Sequence, residues 1–336
     1  MVRLGWKAGP EQYGPVELLD YAIAAEEAGF DSLEASDHFH PWSESGQACF
    51  VWTWLGAAAA RTGTIRLGTG VTCPILRYHP AVIAQASATL GVMAPGRAFL
   101  AVGTGEALNE YSSTGAWPEY EDRQDMMEEA VGLIRELWTG KPVTHHGEYY
   151  ETHMARLYTR PEEPVPLYIA SMAPGSATFA GQHGDGLMTV GGQSPDLYKE
   201  ILQRFDEAAR EAGKEPATLP KMIEINVAYT EDEEGAIRCM QQYWAATFVP
   251  ALFDQRIYTP AMSEKNGEVV GADIIRSKMC ISSNPQDHVE YAQQYIDLGF
   301  NEIFFHSPGP DQKTFLEGYG RDVLPKIRES AGTRNP

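Results

Sequence analysis

Short apolar runs alternate with longer stretches of helical period along this chain, and the alternation recurs eight times. The runs fall at 3–9, 32–37, 65–72, 98–104, 166–171, 186–191, 222–229 and 301–306. Most are continuous in apolar residues rather than alternating, the pattern of strands buried on both faces of a parallel sheet. Helical period follows at 15–28, 80–93, 123–138 and 311–329, the first opening on Pro15 and stopping before Gly29. Eight βα units predict an α/β fold, a (β/α)8 TIM barrel forming a single domain over 1–336. An open doubly wound sheet is the alternative; against it, no GxGxxG opens the first βα turn and the count reaches eight. The segments 141–164 and 249–273 are too long for simple connections and are expected as insertions that shape or cover the site.

Composition narrows the partners. The formal net charge is −20, with acidic residues spread along the chain rather than gathered in a tail. Such a surface repels nucleic acid and anionic lipid, so neither nucleic acid nor a membrane is an expected partner. Cys49, Cys73, Cys239 and Cys280 form no CxxC pair and no cluster with zinc spacing. Few, dispersed thiols suit a reducing compartment. No apolar run reaches the ~18 residues of a membrane span, and MVRLGWKAGPEQ carries no apolar signal segment. The expected location is cytoplasmic.

In a barrel of this kind the chemistry gathers where strands end. The second run ends in Asp37-His38, followed by Trp42. A histidine titrates near neutrality and can take a proton from a hydroxyl within hydrogen-bond reach, although an Asp-His pair can equally well cap a turn. Glu106 sits in a glycine-rich turn after the fourth run. In a partly apolar pocket its pKa rises and it serves as an acid; alternatively it satisfies free N–H groups at a helix entry. A base and an acid on one barrel face make the stronger constellation. Cys73 has no histidine near it in sequence to make it a nucleophile. His145-His146 lies in the first insertion and is expected to be solvated, and no pattern is specific enough to assign a metal.

Five segments carry a family resemblance that covers nearly the whole chain: SDHFHPW at 36–42, TCPILRYHPAVIAQA at 72–86, GTGEALNE at 103–110, KMIEI at 221–225 and FFHSPGPDQ at 304–312. The chain resembles the luciferase-like (β/α)8 oxidoreductases in the branch that uses the deazaflavin coenzyme F420, and within it the glucose-6-phosphate and secondary alcohol dehydrogenases. The resemblance implies a dehydrogenase and a homodimer. His38 would be the base on the substrate hydroxyl, Glu106 the acid that protonates the ring, and Trp42 a support for the charge near His38. It further implies coenzyme contacts at Asp37, Gly70, Val71, Thr72, Cys73, Ala107, Asn109, Met172, Ala173 and Val190, with a non-proline cis bond between Gly70 and Val71. The coenzyme's acidic tail calls for a local basic patch.

The chain departs from the sugar-phosphate members of that branch, which grip the phosphate with two lysines and an arginine. The corresponding positions hold Gln193, Asp254 (with Arg256 close by) and Lys278. Losing cationic anchors weakens a phosphate grip. An unphosphorylated sugar or a secondary alcohol thereby becomes as good a candidate as a sugar phosphate. The expected substrate contacts are Gln193, Trp244, Arg256 and Lys278. Trp244, Phe248, Phe253 and Tyr258 either line a less polar pocket or simply pack the insertion. The competing classes are a reductase running the reverse reaction, a flavin monooxygenase, and a non-catalytic barrel that only binds the coenzyme.

Overall fold

The computed structural model describes residues 2–249 and 256–333. Eight parallel strands close into a barrel in the order β1 (Arg3–Ala8), β2 (Ser32–Ala35), β3 (Arg66–Thr69), β4 (Ala98–Val102), β7 (Leu167–Ala170), β8 (Gly186–Val190), β9 (Lys221–Tyr229) and β11 (Glu302–His306), with β11 pairing back onto β1. All eight match the apolar runs. Near-complete burial of their residues explains the continuous pattern, because one face fills the lumen and the other packs under helices.

The two faces separate cleanly. Phe99, Ala101, Tyr168, Met188, Met222 and Phe304 form a cluster of their own that fills the lumen. Gly5 and Gly68 sit where a Cβ would collide with the rings of Phe304 and Phe99, so the fillers' bulk dictates glycine there. Trp6, Leu33, Leu67, Leu100, Leu187 and Phe305 belong to the larger layer between barrel and helices. A third cluster, built around Trp42, Met240, Trp244 and Ile275, lies where the second insertion folds over the barrel mouth.

Three features differ from the sequence expectation. A ninth parallel strand, β10 (Met279–Ser282), pairs with the outer half of β9; at four residues it gives too short a periodicity to see. The closing helix is two helices, Gln312–Asp322 and Leu324–Thr333. Pro325 lacks an N–H and crowds the carbonyl of Arg321, which breaks the run at Val323. The insertion 141–164 holds an antiparallel hairpin, β5 (Val143–His146) and β6 (Glu151–Ala155), against the helix Tyr120–Trp138. Of the second insertion, 256–273 supplies the helix Pro260–Gly267, tied to the loop after β2 through Glu44 and Glu264. Phe253 and Asp254 lie outside the described residues.

Candidate active site

The strand ends converge on a cavity of about 510 Å3. A depression of about 580 Å3 lies at the other end of the barrel, near Arg3, Pro220 and Asn301. The cavity at the carboxyl ends of the strands is the one that collects titratable side chains, as the fold leads one to expect.

His38 sits at its centre. Its Nε2 lies 3.0 Å from Glu106 Oε1 and its Nδ1 3.3 Å from Glu11 Oε1. The second contact lacks hydrogen-bond alignment, since Nδ1 and both Glu11 carboxyl oxygens are buried without a partner. Burial opposes the imidazolium, but the carboxylates of Glu11 and Glu106 outweigh it and raise the His38 pKa above its usual value. Trp42 packs edge-on against the imidazole, ring centres 4.7 Å apart.

Glu106 corrects the expectation drawn from sequence. Burial alone would raise its pKa, yet the hydrogen bond and charge of His38, with Asn109 adding a further hydrogen bond, hold it below the ordinary carboxylate range. Nor does it cap the helix Ala107–Thr114: it occupies the N-cap position but makes no capping bond with its side chain. The carboxylate turns instead to His38 and to Asn109 Nδ2, at 2.9 Å. Asn109 Oδ1 in turn accepts from the backbone N–H groups of Phe39 and His40, at 2.7 and 2.9 Å. One amide therefore ties the base-bearing loop to the acid. On the same helix it is Glu110 whose pKa is raised: burial pushes it up to about 7 against the opposing charge of Arg77.

Asp37 lines the cavity, but its carboxylate is already held by Thr72, Arg77 and Tyr78 at 2.9, 3.0 and 2.9 Å. The peptide between Gly70 and Val71 is cis. A Cβ on Gly70 would collide with the Glu34 carboxyl, which accounts for glycine there. Gly105, at φ +74°, and Gly103 are sites of close packing, since a Cβ on either would come within 2.8 Å of Cys73 Sγ or Val71 Cγ2. Burial pushes the Cys73 thiol well up, which leaves it without thiolate character.

Not every expected residue reaches the cavity. Gly70, Val71, Cys73, Asn109, Met172 and Val190 line it, as do Gln193, Trp244 and Lys278. Thr72, Ala107 and Ala173 are not among the lining residues. Arg256 points away from it and pairs with Glu119 at 3.6 Å on the surface. Phe248 lines the cavity, whereas Tyr258 packs on Tyr111, ring centres 4.4 Å apart. The first insertion contributes no lining residue, contrary to expectation. The only cations among the described lining residues are Lys7 and Lys278, so the expected basic patch is not in the cavity wall.

Sequence reasoning missed the cavity floor. Lys7 Nζ lies 2.5 Å from Ser36 Oγ, 3.1 Å from the Gly70 carbonyl and 3.6 Å from Glu224 Oε2. Burial disfavours its charge, but Glu224, Glu34 and Glu11 overcome this and raise its pKa. Burial drives Glu34 well up, while Lys7 holds Glu224 down against its own burial. Neither Glu34 oxygen accepts a hydrogen bond, consistent with a protonated carboxyl that donates to Glu224. Burial brings His306 down to about 4, so it is neutral beside charged Lys7 and Glu224. The signal was present: a lone Lys or Glu inside a strand buried on both faces has no solvent and must be paired.

The raised His38 pKa has a kinetic consequence. A base must be deprotonated, so kcat/KM should fall as pH drops through that value. Glu11→Gln removes the largest charge that raises it, and the acid limb of the pH profile should move to lower pH. An unmoved limb would detach Glu11 from the titration.

The floor and walls suit a flat aromatic cofactor. The volume is that of a small-molecule site. The walls are apolar side chains such as Val71, Met172, Met188 and Trp244, and the buried polar atoms of His38 and Glu11 face in unpaired. The family model described as luciferase-like monooxygenase matches residues 3–302. The chain is 43% identical over 333 residues to an F420-dependent glucose-6-phosphate dehydrogenase of Nakamurella multipartita, covering 98% of both. It is 42% identical to one of Mycolicibacterium gilvum over 332 residues, again covering 98% of both. A solved F420-dependent secondary alcohol dehydrogenase, in complex with an F420-acetone adduct, superposes with a TM-score of 0.93 at 38% identity, over 97% of this chain and 99% of that one.

Proposed function

The chain belongs to the luciferase-like monooxygenase family, and on that premise we propose that it is a coenzyme F420-dependent dehydrogenase that oxidises the hydroxyl-bearing carbon of a small alcohol. The observation that carries this reading is the His38 imidazole, gripped between two carboxylates in an apolar-walled cavity. The deazaflavin, when bound, supplies the hydride acceptor at C5 and a proton site at N1. His38 would take the substrate's hydroxyl proton as hydride leaves the same carbon, giving a carbonyl product. Glu106, whose carboxylate accepts from His38 Nε2 at 3.0 Å, would hold a proton for the ring. Trp42 backs the imidazole, and Asn109 keeps base and acid in register. Gly70, Val71, Cys73, Met172 and Val190, which line the cavity, would hold the ring.

The charge of the wall favours an unphosphorylated substrate. Glu11, Asp37, Glu106, Glu110 and Glu224 line the cavity, against Lys7 and Lys278. Lys7 is committed to the floor, and Lys278 Nζ donates to the Gly192 carbonyl at 2.7 Å. A phosphate dianion meets one cation at most, whereas a neutral secondary alcohol or sugar meets no such penalty. Purified protein with the oxidised coenzyme should bleach its visible band on addition of such an alcohol, with higher kcat/KM than with glucose 6-phosphate. A charge-assisted hydrogen bond contributes about 1.5 kcal/mol, so Gln193→Lys should lower the KM for glucose 6-phosphate about tenfold. Wild-type preference for the sugar phosphate would reverse the assignment, and turnover only with a flavin mononucleotide would remove the coenzyme.

The four cysteines are free and no described helix is long and apolar enough to cross a membrane, in keeping with a cytoplasmic enzyme. Phe50, Val82 and Met93 stand about half exposed around one apolar hollow. That face supports a homodimer, and sedimentation at the mass of one chain would contradict it.

A further inference from the structure

We propose that the β5–β6 hairpin carries a second, independent site: a surface position for one divalent transition-metal ion of the zinc or nickel class, held by His146, Glu151 and His153. The register makes it possible. His146 pairs directly across the hairpin with Glu151, and His153 follows Glu151 by two residues on the same face. Histidine nitrogens converge on a single oxygen: His146 Nδ1 lies 3.0 Å and His153 Nε2 3.1 Å from Glu151 Oε1. Zinc bonds to nitrogen and oxygen of about 2.0–2.2 Å in a tetrahedron place ligand atoms roughly 3.3–3.6 Å apart. The donor atoms therefore already stand near the spacing an ion requires, and all three lie within 4.8 Å of one another. Among the described residues no other group of three such side chains does so.

The scaffold beneath is fixed, so little ordering is needed on binding. From the helix Tyr120–Trp138, the Glu129 carboxylate accepts from the backbone N–H groups of Glu148, Tyr149 and Tyr150 at 3.1, 3.0 and 2.8 Å, and from His145 Nε2 at 3.0 Å. His145 thus pins the hairpin from one face while His146 points to the other. Two imidazoles with one carboxylate select zinc, nickel, cobalt or copper over magnesium or calcium, which prefer oxygen. The remaining positions are open to water. The sequence singled out His145-His146, of which only His146 belongs to this site; Glu151 and His153 join it through the hairpin register.

Titration of the untagged protein with zinc and nickel ions by calorimetry tests the site. One equivalent should bind, His146→Ala and His153→Ala should each weaken it at least about tenfold, and magnesium should give no heat. Glu129 and the cavity are untouched by these variants, so oxidoreductase activity should not change. No binding, or equal affinity in wild type and the His146→Ala/His153→Ala double variant, would overturn the proposal. Because both side chains are exposed, the double variant should keep the wild-type circular dichroism spectrum, which separates lost binding from lost folding.

Discussion

His38→Ala is expected to cut kcat by about 10²–10⁴-fold, the range that a positioned general base supplies, while coenzyme affinity changes little. The imidazole is placed between two carboxylates, Glu11 on one nitrogen and Glu106 on the other. Those charges strengthen it as a proton acceptor, and among the described lining residues the one other histidine does not replace it. His306 also lines the cavity, but burial holds its pKa near 4 and its Nδ1 is engaged by Asn226 at 2.8 Å. Alanine leaves the strand end in place, so the cavity wall of Val71, Met172 and Val190 proposed to hold the coenzyme is unchanged. Steady-state kinetics paired with a fluorescence titration of the coenzyme separates the two effects. Full turnover in the variant would take His38 out of the reaction; equal loss of binding and turnover would make it a structural residue.

Lys7→Met should destabilise the fold by about 3–5 kcal/mol, the usual result of removing one partner from a buried charged group. The Lys7 side chain is only 3% exposed and faces Glu224, Glu34 and Glu11 beneath the cavity. Without it, the Glu224 carboxylate loses its principal counter-charge, and Ser36 and the Gly70 carbonyl lose their donor. The cavity floor, not the helical layer, would give way first. A urea midpoint lowered correspondingly, and partly restored by Glu224→Gln in the same chain, is the expected result. An unchanged midpoint would mean that the floor charges are compensated in another way.

The barrel was legible because its strands are buried on both faces, so each appears as an unbroken apolar run. His38 and Glu106 were legible as polar residues placed just where those runs stop, whereas Asn109 came only through the family resemblance. The behaviour of Glu106 was not. Its pKa is decided by a 3.0 Å contact to a side chain on another strand end, and sequence says only that a carboxyl lies in a glycine-rich turn. Glu11 left no trace, since an acid in a loop reads as solvated until the loop is seen folded over His38. Lys7, Glu34 and Glu224 were readable in principle, as charges stranded inside apolar runs. Arg256 shows the converse error: proximity in sequence to a phosphate position suggested a ligand, but its guanidinium turns to Glu119 outside the cavity. The hairpin in the first insertion escaped notice because its two strands are short and largely exposed, which leaves no apolar face to give the period.

Direct hydride transfer from an alcohol carbon to the deazaflavin, with His38 taking the hydroxyl proton, is tested by turnover of a secondary alcohol deuterated at the carbinol carbon, followed by mass and NMR analysis of the reduced coenzyme. One deuterium should appear on C5 of the ring, and single turnovers should be slowed by that deuterium. Reduced coenzyme that carries no deuterium at C5, or the absence of reduction with any alcohol offered, would contradict direct transfer.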